Sequence, residues 1–582
     1  MKLQILFGCA LTCSLAFAAS QGTNSSGPAT PEPGIPHLRK QGTANQMIVD
    51  GKPFLMLAGE LGNNSATSLD YMKPIWPKLV DSKLNTVLAG VSWSQIEPAE
   101  GKFDFTIVDG VIQEARNHNL HLALLWFASW KNGMSTYPPP WVKKDFERFP
   151  RAQIAEGAAP WPVLTMSDVP RVKVTGNLSI ELLSPLSPAN RDADARAFAA
   201  LMRHVKAVDG RNHTVILIQV ENEVGMQGDS RDRSPAAIQA FAGPVPQELM
   251  DYLVQHKDTL IPEFRKVWEA TGFKTSGTWE EVFGKGLAAD EIFMAWHFAR
   301  YVGQVAAAGK AEYPIPMYVN AALPRTSAIG ATEVTGREPG VTGYFAVGGP
   351  MADVLDIWRA GGPQVDILSP DAYNDFADWC MKYDRSGNPL FIPESRGGTE
   401  GAARMIYAFG RHNAIGYSPM GIERAGAPDA DLTSSYDVIT QLAPLISAHQ
   451  GDGTMSAVML RGTADSPQKV RVGDYTLEVT FTSPRRIAGE PPPQGNRPVA
   501  AAIFIAAGPD EYFAAGSGLT ISFAPNTPGP PLAGLATVEE GAFVKGRWVP
   551  GRRLEGDDSD EGQFLMLGGK KGIQHFTLYR YR

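Results

Sequence analysis

From residue 54 the chain repeats one pattern, a short unbroken apolar run followed by an amphipathic helical stretch. The apolar runs fall at 54–61, 86–93, 121–130, 215–220, 316–323, 365–369, 389–393 and 414–418. Between them, 107–118 carries Val108, Val111, Ile112 and Ala115 on one helical face, and 191–208 repeats the spacing. Strands buried on both faces read as continuous apolar runs, and their alternation with helices marks parallel βα units. Eight such units complete a (β/α)8 TIM barrel, although an open doubly wound sheet shares the rhythm. The expected fold class is therefore α/β, with the barrel over 44–450 and a small hairpin at Met47-Ile48-Val49-Asp50-Gly51 leading in. The stretch 225–313 holds more chain than one helix needs and reads as an insertion on the loop side.

After about residue 450 the period changes to two, as in Lys469-Val470-Arg471-Val472, 476–482 and 500–506. Turn-rich segments at 490–498 and 525–531 separate these runs, so 451–582 is expected to be an all-β, sandwich-like domain. At the other end, Lys2, an apolar run and Ala16-Phe17-Ala18 describe a secretory signal peptide over 1–19. A Ser, Thr, Gly and Pro-rich flexible leader is expected over 20–43. Cleavage would remove Cys9 and Cys13, leaving Cys380 with no disulfide partner. No later stretch reaches the roughly 18 apolar residues of a membrane helix. A periplasmic or secreted protein without membrane insertion is expected.

Composition narrows the partners. The 53 Lys and Arg against 61 Asp and Glu give a net charge of −8, which argues against nucleic acid. The 12 Trp and 16 Tyr permit a glycan ligand without requiring one. There is no H-E-x-x-H, no cysteine near Cys380, no G-x-S-x-G and no Walker loop, so neither a metal nor a cofactor is expected.

Catalytic groups of a TIM barrel lie at the C-terminal ends of its strands. The fourth run ends in Gln219-Val220-Glu221-Asn222-Glu223, and the seventh in Ile392-Pro393-Glu394-Ser395-Arg396-Gly397-Gly398. Carboxylates leaving a buried strand are costly unless paired or used. Strands four and seven face each other across the mouth, where two carboxylates can approach to the roughly 5 Å of a retaining glycosidase. Glu394, beside Arg396, suits the ionised nucleophile. Glu223 then serves as acid/base, and Asn222 is placed for the sugar 2-hydroxyl. Salt-bridged residues of a barrel rim would carry the same spacing.

These residues resemble a known family. Gln219-Val220-Glu221-Asn222-Glu223-Val224-Gly225 is similar to the acid/base motif of glycoside hydrolase family 35, the β-galactosidases of the retaining (β/α)8 clan, and Pro393-Glu394 to that clan's nucleophile. The likeness runs through much of 44–450, including Trp93-Ser94-Gln95-Ile96-Glu97-Pro98 and Ser369-Pro370-Asp371-Ala372-Tyr373. More narrowly, Phe293-Met294-Ala295-Trp296-His297 and Met317-Tyr318-Val319-Asn320-Ala321 resemble its secreted bacterial branch with a C-terminal β-domain. The resemblance implies Tyr373 as a hydrogen-bond partner of the nucleophile, Asn320 as a substrate-binding residue, and a galactosylated glycan as substrate, xyloglucan side chains first.

The chain also departs from the family. Ala128-Ser129-Trp130 stands where members carry Ala-Glu-Trp, whose Glu holds a sugar hydroxyl, and Glu60 is the candidate replacement. Ser418-Pro419-Met420 lacks the clan's strand-eight Trp, leaving Trp126, Trp130 and Trp141 as candidate sugar platforms. Two alternatives to an exo-β-galactosidase stay open. One is another exo-β-glycosidase of the clan (glucosidase, arabinosidase or glucosaminidase), the other a glycan-binding protein without catalysis.

Overall fold

The computed structural model describes residues 34–155, 178–226, 229–323, 346–424, 429–462, 465–482 and 499–582. The expected signal peptide, most of the leader and the turn at 490–498 lie outside the described residues.

Eight parallel strands form the barrel: β1 (Met56–Glu60), β2 (Thr86–Ser92), β3 (His121–Lys131), β4 (Val215–Asn222), β5 (Met317–Ala321), β6 (Ile367–Pro370), β7 (Phe391–Ser395) and β8 (Gly416–Pro419). They pair in sequence order, with β8 beside β1. A parallel bridge between Asp371 and Glu394 joins β6 to β7 and closes the ring, so the open-sheet alternative falls. All eight coincide with the expected apolar runs because each is buried on both faces. Ala123, Leu125 and Phe127 of β3 fill the interior with Met56, Leu88 and Tyr318, while Leu122, Leu124 and Trp126 pack under the helices.

The strand Ala44–Val49 pairs with Lys52–Phe54 as expected and sends Met47 and Val49 into the barrel interior. It also pairs with His37–Gln41, in register His37 to Ile48. The flexible leader therefore does not extend to residue 43: Gly42, at φ 55°, turns the chain into a second hairpin. The insertion is helical, with Pro235–Ala242, Gln247–Gln255, Pro262–Glu269 and Trp279–Phe283 preceding the long helix Leu287–Glu312. Thr278 and Glu281 form a reciprocal cap at the fourth of these.

Beyond the helix Ala430–His449 the chain is all β. A six-stranded and a four-stranded sheet share a core in which Val458 and Leu460 meet Leu477, Val479 and Ile521. Ala457 and Met459 of the strand Met455–Leu460 point the other way, into the barrel's helical layer. Gly410 on the helix Gly398–His412 permits that approach, since a Cβ there would lie 2.6 Å from Ala457. Among the described residues no helix is long and apolar enough to cross a membrane.

Candidate active site

The end of β4 breaks its own alternation. Glu221 and Glu223 adopt φ 64° and 46°, conformations that cost a non-glycine residue about 1–3 kcal/mol each. Asn222 and Glu223 consequently reach the mouth as consecutive residues, while Glu221 turns back toward β3. There it accepts the backbone N–H groups of Ser129 (3.1 Å) and Trp130 (2.7 Å). Burial and the neighbouring Asp194 push the Glu221 carboxyl well up.

Glu394 is reached from three strands. Tyr373 donates to its Oε2 at 2.9 Å, and Asn222 and Asn320 each approach Oε1 with Nδ2 at 3.4 Å. Asn320 also donates to Asp371 Oδ2 at 2.8 Å and accepts the Glu223 N–H at 2.9 Å. Carboxylate oxygens of Glu223, Asp371 and Glu394 lie within 4.8 Å of one another. Burial, then the Glu394 and Glu223 charges, drive the Asp371 carboxyl well above the ordinary range. Glu60 at the end of β1 is 1 % exposed, and its carboxyl is pushed up by burial and then by Glu394. Its Oε1 has no partner among the described residues.

Among the described residues one cation faces these acids. Lys131, at the end of β3, donates to Asn222 Oδ1 at 2.8 Å and sits 4.7 Å from the centre of the Phe127 ring. Burial pulls its ammonium down, but Glu394, Glu223, Glu60 and Asp371 together raise it above its ordinary value, so it stays charged. Between the pairs Trp126–Val220 and Lys131–Asn222 the register slips, so β3 bulges before delivering Lys131 inward.

The structure thus brings Glu223, Glu394, Asn222, Tyr373, Asn320 and Glu60 into one cluster at the strand ends. Several expectations need correction. Asn320 has both amide hydrogens engaged by Asp371 and Glu394, so it organises carboxylates rather than offering a free amide to substrate. Arg396 does not touch Glu394: it lies past the end of β7 and donates to the Tyr373 carbonyl (2.9 Å) and Asn374 Oδ1 (3.1 Å). Lys131 supplies the positive charge instead. Trp126 and Trp130 are fully buried on the helix-facing side and cannot serve as sugar platforms. Trp126 donates to Asp194 at 2.9 Å, and Trp130 to the Leu183 carbonyl at 3.0 Å. Trp141 packs on Trp93 and Phe149. Ser129 donates to Asp194 at 2.6 Å in the same layer, away from the mouth. The half-buried aromatic near Lys131 is Tyr137, whose ring lies 5.2 Å from Phe127 and whose hydroxyl donates to Asn64 Oδ1 at 3.1 Å.

Lys131 and Asp371 carried a usable signal in the sequence, for each is the first charge after an apolar run. The arrangement offers two carboxylates close enough to flank one bond, donors to both oxygens of Glu394, and a phenol beside it. Burial and the adjacent Glu394 raise the Tyr373 hydroxyl far above its ordinary value, so it remains a donor.

Residues 71–158 match a family model described as Beta-galactosidase, and residues 432–566 match a domain of unknown function (DUF5597). A Beta-galactosidase of Xanthomonas manihotis is 28 % identical over 208 residues, covering 34 % of this chain and 28 % of that protein. The chain therefore spans less than a third of the length of that relative. Among solved structures, the β-galactosidase of Bacillus circulans sp. alkalophilus superposes with TM-score 0.41 at 14 % identity, over 67 % of this chain and 57 % of its own. That of Rahnella sp. R3 gives 0.42 at 16 % identity, over 68 % and 57 %.

Proposed function

We propose that this chain is a retaining exo-β-galactosidase of the family 35 type, exported to the periplasm or medium. It would release terminal β-galactosyl residues from a plant-type glycan, with xyloglucan side chains as the first substrate to try. The observation that carries the reading is the approach of Glu223 and Glu394, from β4 and β7, to within 4.8 Å. Inverting enzymes separate their carboxyls by about 6.5–9.5 Å to admit a water, whereas about 5 Å suits direct attack.

In the first step a Glu394 oxygen forms a bond to the anomeric carbon. The glycosidic C–O bond breaks, and its electron pair goes to the leaving oxygen, which takes a proton from Glu223. In the second step Glu223, now ionised, removes a proton from water. That water attacks the same carbon and displaces Glu394, so configuration is retained. Asn222 Nδ2 is available to the sugar 2-hydroxyl, and Glu60, whose Oε1 has no partner among the described residues, to another hydroxyl of the terminal sugar. The match of residues 71–158 to a β-galactosidase model supports the sugar class.

The test is a panel of nitrophenyl β-galactoside, glucoside, arabinoside and glucosaminide, with proton NMR following the first-formed anomer. The reading expects fastest release from the galactoside and initial β-galactose. Initial α-sugar would refute retention. Faster cleavage of another glycoside would move the substrate within the clan. Binding without turnover on every member would make the chain a glycan-binding protein.

A further inference from the structure

Lys131 is more than a counter-charge by the geometry of its donors. An ammonium carries three N–H groups. Among the described residues one of them is used, on Asn222 Oδ1 at 2.8 Å. No described carboxylate oxygen lies within 4.0 Å of Nζ, although four carboxyl groups act on it through space. The side chain is only 7 % exposed. Unpaired donors on a buried charge are costly, and so is the unpartnered Oε1 of Glu60 in the same mouth. A barrel mouth that leaves both a donor and an acceptor without a partner among the described residues suits a ligand that supplies hydroxyl groups, each of which donates and accepts.

The attachment to Asn222 narrows which hydroxyl Lys131 can reach. If Asn222 Nδ2 serves the 2-hydroxyl, a donor 2.8 Å from its Oδ1 is next along the ring. We propose that Lys131 is a substrate-contact residue that donates to the C3 hydroxyl of the terminal sugar, so that the site takes sugars unsubstituted at O3. The proposal rests on the glycosidase reading and adds a specificity to it. Because the C3 hydroxyl is equatorial in both galactose and glucose, Lys131 does not separate those two sugars. It excludes chains extended or acylated at O3.

The experiment compares wild type with Lys131→Met, which keeps the length and apolar stem but has no donor, on nitrophenyl β-galactoside and its 3-deoxy and 6-deoxy analogues. A hydrogen bond from a charged donor should be worth roughly 10- to 100-fold in kcat/KM. Wild type should lose that factor on the 3-deoxy substrate and little on the 6-deoxy one. Lys131→Met should lose it on the parent and then be indifferent to the 3-deoxy change. If Lys131→Met loses the same factor on all three substrates and its acid pH limb shifts, the residue is only a counter-charge and the proposal fails. A wild type indifferent to 3-deoxygenation overturns it without any variant, which covers a Lys131→Met that does not fold. A wild type inactive on every β-glycoside sinks the glycosidase reading instead. Calorimetric binding of galactose against 3-deoxygalactose would then still decide Lys131, with equal affinities counting against it.

Discussion

The Tyr373 hydroxyl donates to Glu394 Oε2 at 2.9 Å, and the chain holding Tyr373 is itself clamped by two arginines. Arg396 and Arg404 both donate to the Tyr373 carbonyl, at 2.9 and 3.1 Å, and Arg404 also reaches the Ala372 carbonyl at 2.9 Å. The Glu394 carbonyl in turn accepts the Ala372 N–H at 3.0 Å where the barrel closes. The nucleophile candidate and its phenol are therefore one rigid unit. Tyr373→Phe removes a hydrogen bond to a charged group, so kcat on a nitrophenyl β-galactoside should fall roughly 10- to 100-fold with little change in melting temperature. An unchanged kcat would mean that the phenol does not orient Glu394.

Azide separates the two carboxylate roles. Glu394→Ala should lose several orders of magnitude in turnover, and azide should restore activity with an α-glycosyl azide as product. Glu223→Ala should spare the first step for activated aryl galactosides while slowing poor leaving groups by about 10²–10⁴, and azide should then give the β product. The opposite product stereochemistry would exchange the assignments.

Why some of this was legible beforehand and some was not follows from the strands themselves. A barrel strand buried on both faces announces itself as an apolar run, and all eight did. The same property hides its facing: in 122–130 every position is apolar or small, so nothing marked Trp126 and Trp130 as helix-facing. An antiparallel strand with one wet face would have declared them. Arg396 misled for a related reason. Residues i and i+2 share a face only while the strand lasts, and β7 ends at Ser395. Glu223 and Glu394 were legible because polar groups leaving a buried strand stand out against their neighbours, whereas Tyr373 was reached through the family resemblance alone. Lys131 stands out in the same way, as the first charge after its run, but the bulge in β3 that turns it inward is not marked by any Gly or Pro within the strand.

Glu60→Gln tests the acceptor from β1. The change keeps shape but replaces one carboxyl oxygen by an amide. As a sugar contact, Glu60→Gln should raise KM for the galactoside several-fold. Unaltered KM and kcat would remove Glu60 from substrate binding.

Trp130→Phe distinguishes a core tryptophan from a sugar platform. Its indole donates to the Leu183 carbonyl at 3.0 Å inside the helical layer, and losing that bond leaves a buried acceptor unmatched. Stability should drop by about 1–3 kcal/mol, read by urea unfolding, while KM stays within twofold. A large KM change with unchanged stability would return the ring to the binding site.

Behind β3 and β4, Glu221 and Asp194 form a buried pair of acids with no described cation against it. Asp194 accepts from Trp126 (2.9 Å) and Ser129 (2.6 Å), with Tyr301 at 3.4 Å. Burial first, then the Asp194 charge, hold the Glu221 carboxyl well above its ordinary 4.5. The native state thus binds the Glu221 proton more tightly than the unfolded chain does. Stability must fall as pH climbs from about the ordinary carboxyl value toward the raised one. Glu221→Gln deletes that titration but leaves a single acceptor for the Ser129 and Trp130 N–H groups, costing about 1–3 kcal/mol at low pH. Urea unfolding between about pH 5 and pH 9 should therefore show the variant less stable at the acid end, with the gap narrowing as pH rises. Parallel curves across that range would show that Glu221 carries no extra proton in the folded protein.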